Sequence, residues 1–150
     1  MIQVHLKGLN ELVVRIRRLT PEIERAISDA IWETALNIQG SAKRAAPVDT
    51  GRLRASIESF PLRGELGARV AANVNYSLFV EHGRRPGKMP PPDALSGWAR
   101  RHGLAGLEFV IARAIGRRGI KARPFLGPAL EQEAPRLAAR LRSVLEGLVR

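Results

Sequence analysis

Asp49-Thr50-Gly51 is the first place in this sequence where side chains invite a chemical reading. Aspartic proteases carry this triplet, and in them two aspartates share one proton because both cannot ionise at close range. There the triplet follows buried strand residues. Here it follows Pro47-Val48 at the end of a helical pattern and precedes Arg52-Leu53-Arg54. A turn accounts for it: Asp49 or Thr50 is expected to cap the short segment Arg52 to Ile57, with Gly51 holding the tight bend. Gly83-Arg84-Arg85-Pro86-Gly87-Lys88 approaches a phosphate loop, Gly-x-x-x-x-Gly-Lys-Ser/Thr. It is one residue short, runs into Met89, and contains Pro86, which has no N–H to offer a phosphate. The chain has no cysteine, which removes thiol catalysis and Cys-ligated zinc, and His5, His82 and His102 are far apart in sequence. No serine lies in a Gly-x-Ser-x-Gly elbow. Glu22, Glu24, Asp29 and Glu33 share a helical stretch with Arg25 and read as a solvated face. The expectation is therefore no catalytic residue, no metal and no cofactor.

Charge is the stronger signal. The formal net charge is +11 over 150 residues. The densest basic stretch holds Arg84, Arg85, Lys88, Arg100, Arg101, Arg113, Arg117, Arg118, Lys121 and Arg123, against only Asp93 and Glu108. Such a field suits DNA phosphates, or an acidic protein neighbour. Aromatic residues make up only 5% of the chain, too few for a base-stacking platform, and no helix-turn-helix is evident, which argues against sequence-specific reading. Lysine occurs only at positions 7, 43, 88 and 121, an arginine bias that GC-rich coding also produces. No stretch approaches the roughly 20 apolar residues of a membrane span. The N-terminus lacks the basic start and apolar run of a signal peptide.

The elements that must position these residues follow from periodicity. Ile2, Val4 and Leu6 alternate with polar residues as in a short strand. Leu9, Leu12, Val13, Ile16 and Leu19 recur at helical spacing. Thr20-Pro21 starts a long helix, expected to reach Ala46, with Ile23, Ile27, Ala30, Ile31, Thr34, Ala35 and Ile38 on its inner face. Glu58 to Leu62 and Ala68 to Val74 read as paired strands around Gly64 and Gly67. Tyr76 to Val80 is either a strand or a helical turn. His82 to Pro92, rich in Gly, Pro and Arg, reads as a flexible loop (about 83–92) within a single domain spanning 1–150. Asp93 to His102 is expected as a short helix with Leu95, Trp98 and Ala99 inward, and Phe109 to Ile115 as another. Ala122 to Pro128 is expected to be extended. A last helix carries Leu130, Ala134, Leu137, Leu141, Val144 or Leu145, and Leu148. Pro135 is expected to kink it or to mark the start of its main part.

Three segments in fixed order carry a family resemblance. They are Ala46-Pro47-Val48-Asp49-Thr50-Gly51-Arg52-Leu53-Arg54-Ala55-Ser56-Ile57, then Tyr76-Ser77-Leu78-Phe79-Val80-Glu81-His82-Gly83, then Ala122-Arg123-Pro124-Phe125-Leu126-Gly127-Pro128-Ala129-Leu130. Together they resemble the tail-component family of lambdoid-type siphophages, whose members complete or join the tail at the neck. The resemblance runs from about residue 9 to 148; His82, where an aromatic is common, and Pro135 depart from it. It implies an α+β fold, a small antiparallel sheet packed against the long N-terminal helix, with a C-terminal helix. It implies a non-enzymatic virion protein, assembled in the host bacterial cytoplasm. Such a protein works as a ring (a hexamer favoured, a dodecamer possible) among other neck, connector and tail proteins, with double-stranded DNA passing through. On this reading Gly51 and Gly83 hold turns, and Val48, Leu53 and Ile57 dock on the sheet. Pro124, Phe125 and Leu126 lie either in the core or, with Arg84, Arg85 and Lys88, at a subunit or neighbour interface. Arg100, Arg101, Arg113, Arg117, Arg118, Lys121 and Arg123 face the DNA channel or an acidic partner. The alternatives are a small basic DNA-binding or assembly-regulating protein and, more remotely, a hydrolase using Asp49.

Overall fold

The computed structural model describes residues 1–5 and 21–148. Strand β1 is Ile2–His5, helix α1 Pro21–Ala45, α2 Arg52–Ala55, β2 Ile57–Pro61, β3 Ala68–Ala72 and α3 Ser77–His82. A 3₁₀ turn at Pro92–Leu95 leads into α4, Ser96–Arg101, followed by α5, Glu108–Arg118, and α6, Gly127–Leu148. This is an α+β fold. The helical pattern at Leu9 to Leu19 lies outside the described residues.

Helix α1 forms as its sequence demands. Glu22 and Glu24 in the first turn and Lys43 and Arg44 in the last complement the helix dipole. Ile27, Ile31, Ala35, Ile38 and Ala42 recur every three or four residues and are fully buried. Thr34 is buried on the same face, and its hydroxyl donates to the Ala30 carbonyl at 2.8 Å, so no polar group is stranded. The helix stops before Pro47, which disfavours helical geometry in the residue preceding it.

The sheet has the order β1-β3-β2 and is antiparallel throughout. Ile2 and Ile57 flank Ala72, and Val4 and Ser59 flank Val70, so one face presents a small apolar surface to α1. The Ser59 hydroxyl donates to the Ala35 carbonyl at 3.1 Å and ties β2 to that helix. On the other face Arg69 lies over the Phe60 ring, 5.1 Å from its centroid. Phe125 and Leu126 enter the core beside α1, and α6 then packs along it through Ala129, Leu137 and Leu141.

Several expectations change at this level. Tyr76 to Val80 resolves as helix: Ser77 begins α3, its hydroxyl accepting the Ile2 N–H at 3.0 Å and lying 2.7 Å from the Val74 carbonyl. Gly51, at φ 79°, is itself the N-cap of α2; Asp49 is engaged elsewhere, and the Thr50 hydroxyl meets the Arg52 N–H only at a long 3.4 Å. Val48 is 56% exposed and does not dock on the sheet, whereas Leu53 and Ile57 are buried. Of the expected inner face of α4 only Ala99 is fully buried. Pro135 does not begin a helix: α6 is continuous from Gly127 and contains it. Pro135 is exposed, so water can reach the carbonyl it leaves unpaired. Ala134 is exposed and Glu133 buried, because the packed stripe runs through Leu126, Ala129, Leu130, Glu133 and Leu137.

Candidate interaction surface

The three sequence segments converge at one end of the molecule. Helix α3 and the strand-like stretch before α6 are joined by the side chain of Glu81, which acts as an anchor. It is 5% exposed. Its Oε2 accepts the backbone N–H of Phe125 at 2.8 Å and of Leu126 at 3.0 Å, and its Oε1 accepts that of Gly127 at 2.7 Å. These are amides at the start of α6, which have no partner within the helix, and a carboxylate there also meets the positive end of the helix dipole. Alongside, the Arg123 N–H donates to the Val80 carbonyl at 2.8 Å, and Arg84 and Ile120 exchange two backbone hydrogen bonds at 2.8 and 2.9 Å. Gly83 and Gly119 bracket that bridge with φ of 73° and 75° and extended ψ, a backbone region essentially closed to other residues.

Around this anchor is an apolar cleft of about 610 Å³, walled by Pro47, Phe79, Trp98, Ile111, Ile115 and Ile120 and rimmed by Lys121 and Arg123. A second hollow of about 460 Å³ adjoins it and shares Pro47, Tyr76, Val80, Trp98 and Arg123. Three aromatic rings stand open to solvent here: Tyr76 at 41%, Phe79 at 47% and Trp98 at 37% exposure. Soluble proteins seldom leave such rings together without a partner. Trp98 is fixed by stacking on His102, with ring centroids 4.2 Å apart and planes at 21°. His102 Nδ1 is 2.9 Å from the Trp98 carbonyl, an acceptor only, so Nδ1 carries a proton.

Asp49 sits at the rim. Arg101 clasps it through Nε at 3.0 Å and Nη2 at 2.5 Å, and His102 Nε2 is 4.0 Å away. The hydrogen bonds from Arg101 hold the Asp49 carboxyl below its ordinary value, with the charges of Arg101 and His102 adding and some desolvation opposing. Both oxygens of Asp49 are engaged by a guanidinium, and a second carboxylate to share its proton, as protease chemistry requires, is not among its partners. Among the described residues no group of three or more His, Asp or Glu is placed to hold a metal ion.

The other residues singled out from sequence are dispersed around this end. Lys121 and Arg123 line the cleft. Arg100 lies on α4, and Arg113, Arg117 and Arg118 on α5, all exposed. Arg84 is half-buried and its guanidinium donates to the Lys88 carbonyl; Arg85, Lys88 and Pro124 are exposed. Phe125 and Leu126 are 0% exposed. Of the two alternatives for them, the structure has interior packing. Glu81 was missed at the sequence level, although an acid between Val80 and a glycine-containing turn, in a stretch otherwise without acids, was the available signal.

Residues 10–83 match the family model described as "Bacteriophage HK97-gp10, putative tail-component". The match takes in the first two segments and ends at Gly83, so the third segment and the cleft's α5 wall lie beyond it. It bears out the resemblance to siphophage tail proteins and supports a structural role in a phage tail rather than an enzymatic one. No curated protein and no solved structure matches the chain significantly. No helix among the described residues is long and apolar enough to cross a membrane.

Proposed function

From the match of residues 10–83 to phage tail components, we propose that this chain is a structural virion protein of a tailed phage or phage-like particle. It forms a ring at the head–tail neck or tail end, a hexamer in preference to a dodecamer, and joins or completes the tail around the DNA channel. Its partners are copies of itself, the other neck, connector and tail proteins, and double-stranded DNA contacted without sequence preference. It is assembled in the host cytoplasm as a single domain of residues 1–150. The observation that carries the reading is the family match; the exposed apolar cleft beside a rigid anchor supports it as a surface built to be covered. The surplus of exposed arginine suits a channel wall or an acidic neighbour.

Quantitative mass spectrometry of purified particles, counting this chain against the portal subunit, tests the proposal. A fixed count of about six or about twelve is expected for a closed cyclic ring. Absence from particles overturns it. Steep salt-dependent binding of duplex DNA by the isolated subunit would then favour a basic DNA-binding or assembly-regulating protein.

A further inference from the structure

We infer that the apolar cleft receives the outer face of α1 from a second copy of this chain, so that copies join head to tail. The inference rests on the ring reading and specifies its contact. A chain of net charge +11 repels its own copies unless patches of opposite sign meet. The charge is unevenly distributed. Residues 84–123 hold ten lysines and arginines and two acids, whereas residues 21–36 hold four acids and one arginine. The acid-rich stretch is the first half of α1, and its outer face is not merely polar. Trp32 and Leu36, four residues apart and therefore neighbours on the helix surface, are 36% and 45% exposed. Asp29 and Glu33 flank them; Glu33 is paired with Arg140 of α6 at 3.0 Å, so Asp29, one turn from Arg25, is the carboxylate beside Trp32 left for a neighbour.

Cleft and helix face are complementary in kind. One is a concave apolar surface with exposed rings and a Lys121–Arg123 rim. The other carries the exposed Trp32 and Leu36 beside Asp29, on the acid-rich first half of α1. Large aromatic anchors in apolar pockets, ringed by charge, are the composition of energetic centres in protein interfaces. The two patches are also distinct. Pro47 lines the cleft just beyond the end of α1. Trp32 lies roughly 20 Å back along the helix at 1.5 Å per residue. Each copy thus carries both halves of the contact on different parts of its surface. That contact is heterologous, the kind that propagates and closes into a ring when the rotation allows.

The absence of native cysteine makes the test clean. Single variants Ser28→Cys, one helical turn from Trp32 and exposed, and Phe79→Cys, and their double variant, are treated with a short bis-maleimide, in purified full-length protein and in particles. The expected result has three parts: no dimer from either single variant alone, one covalent dimer from their mixture, and a ladder up to the ring size from the double variant. Trp32→Ala should weaken self-association on the order of 30-fold. Asp29→Lys and Lys121→Glu should each weaken it and partly restore it when mixed; circular dichroism checks that these exposed substitutions leave the fold intact. A ring counted in particles with no such crosslink, or with Ser28→Cys linking to itself, overturns this contact and leaves the ring standing. Lys121→Glu that abolishes duplex-DNA binding while assembly is unchanged also overturns it, assigning the rim to nucleic acid. Monomers at all concentrations together with absence from particles overturns the ring reading and this contact together.

Discussion

Replacing Glu81 should be among the most damaging single changes in the chain, although the residue touches no cavity chemistry. Its carboxylate accepts three backbone N–H groups, and two of them, from Phe125 and Leu126, are buried. A buried donor left without an acceptor costs about 1–3 kcal/mol. Glu81→Leu strands two such donors and exposes the third, that of Gly127, to partial solvation; the expected loss is about 4 kcal/mol. At roughly 3 °C per kcal/mol for a chain of this length, melting should fall by roughly 12 °C. Glu81→Gln should lose less, about 1–3 kcal/mol, because one oxygen remains while the new NH₂ group opposes a backbone N–H at the other position. Urea titration followed by circular dichroism gives the free energies. Amide hydrogen exchange at Phe125, Leu126 and Gly127 gives the location, with protection falling there first. If Glu81→Leu unfolds within about 1 kcal/mol of the parent, or if exchange at those three amides is unchanged, the anchoring role is refuted.

The glycines should separate by surroundings. A Cβ on Gly119 would meet the Arg84 carbonyl oxygen at 2.0 Å, and one on Gly83 the Ile120 carbonyl oxygen at 2.6 Å, so alanine at either should destabilise by more than about 3 kcal/mol in chemical denaturation. Gly51 has a positive φ but open space around it, so Gly51→Ala should cost only about 1–2 kcal/mol and Gly51→Asn less. The Asp49 carboxyl, titrated by carbon NMR, should show a midpoint below 3.8, and Arg101→Gln should raise it. Because the folded value is depressed, the stabilisation from this pair is present above the unfolded value and is lost as pH falls through the folded one. Glu133 is 2% exposed with Oε1 paired to Arg136 at 2.5 Å and, among the described residues, no partner for Oε2. Arg136→Ala should therefore destabilise by about 1–3 kcal/mol, discounted because the arginine is largely exposed, while Glu133→Leu should be neutral or stabilising in thermal melts.

Where periodicity and steric rules act locally, the sequence was sufficient. Helix α1 carries a buried stripe over several turns and a proline that ends it, and both its start and its inner face were readable. The strands β2 and β3 were readable to within two residues, because their alternation is bounded by glycines. What failed was decided by long-range partners. Val48 looks like a core residue by type, but the turn at Gly51 sends Leu53 inward instead. Asp49 or Thr50 was expected to cap a helix locally, yet Arg101, far away in sequence, takes both oxygens of Asp49, and Thr50 reaches the Arg52 N–H only at 3.4 Å. Glu133 occupies an inward position that no hydrophobic pattern would assign to an acid. For the interaction surface, the three segments were visible as words in the sequence, but not that Glu81 binds the second to the third. The cleft itself is a property of spacing between α3, α4 and α5, which periodicity does not encode.

The strand order has a consequence in time. Strand β3, the centre of the sheet, is the last of the three to be synthesised, and Ile2 at the start of the chain must wait for Ala72 and Ser77. The core over α1 waits longer, because Phe125 and Leu126 complete it. At translation rates of roughly 5–20 residues per second, the isoleucine face of α1 stays uncovered for about 4–16 s on every ribosome. Local helix forms in microseconds, far faster than the residues that cover it are synthesised. A nascent chain consequently has neither a finished cleft nor a seated α1 to offer a neighbour. If copies associate as proposed, they can do so only after Phe125 and Leu126 are seated, and the yield of competent subunits depends on how well those first seconds are protected from premature association.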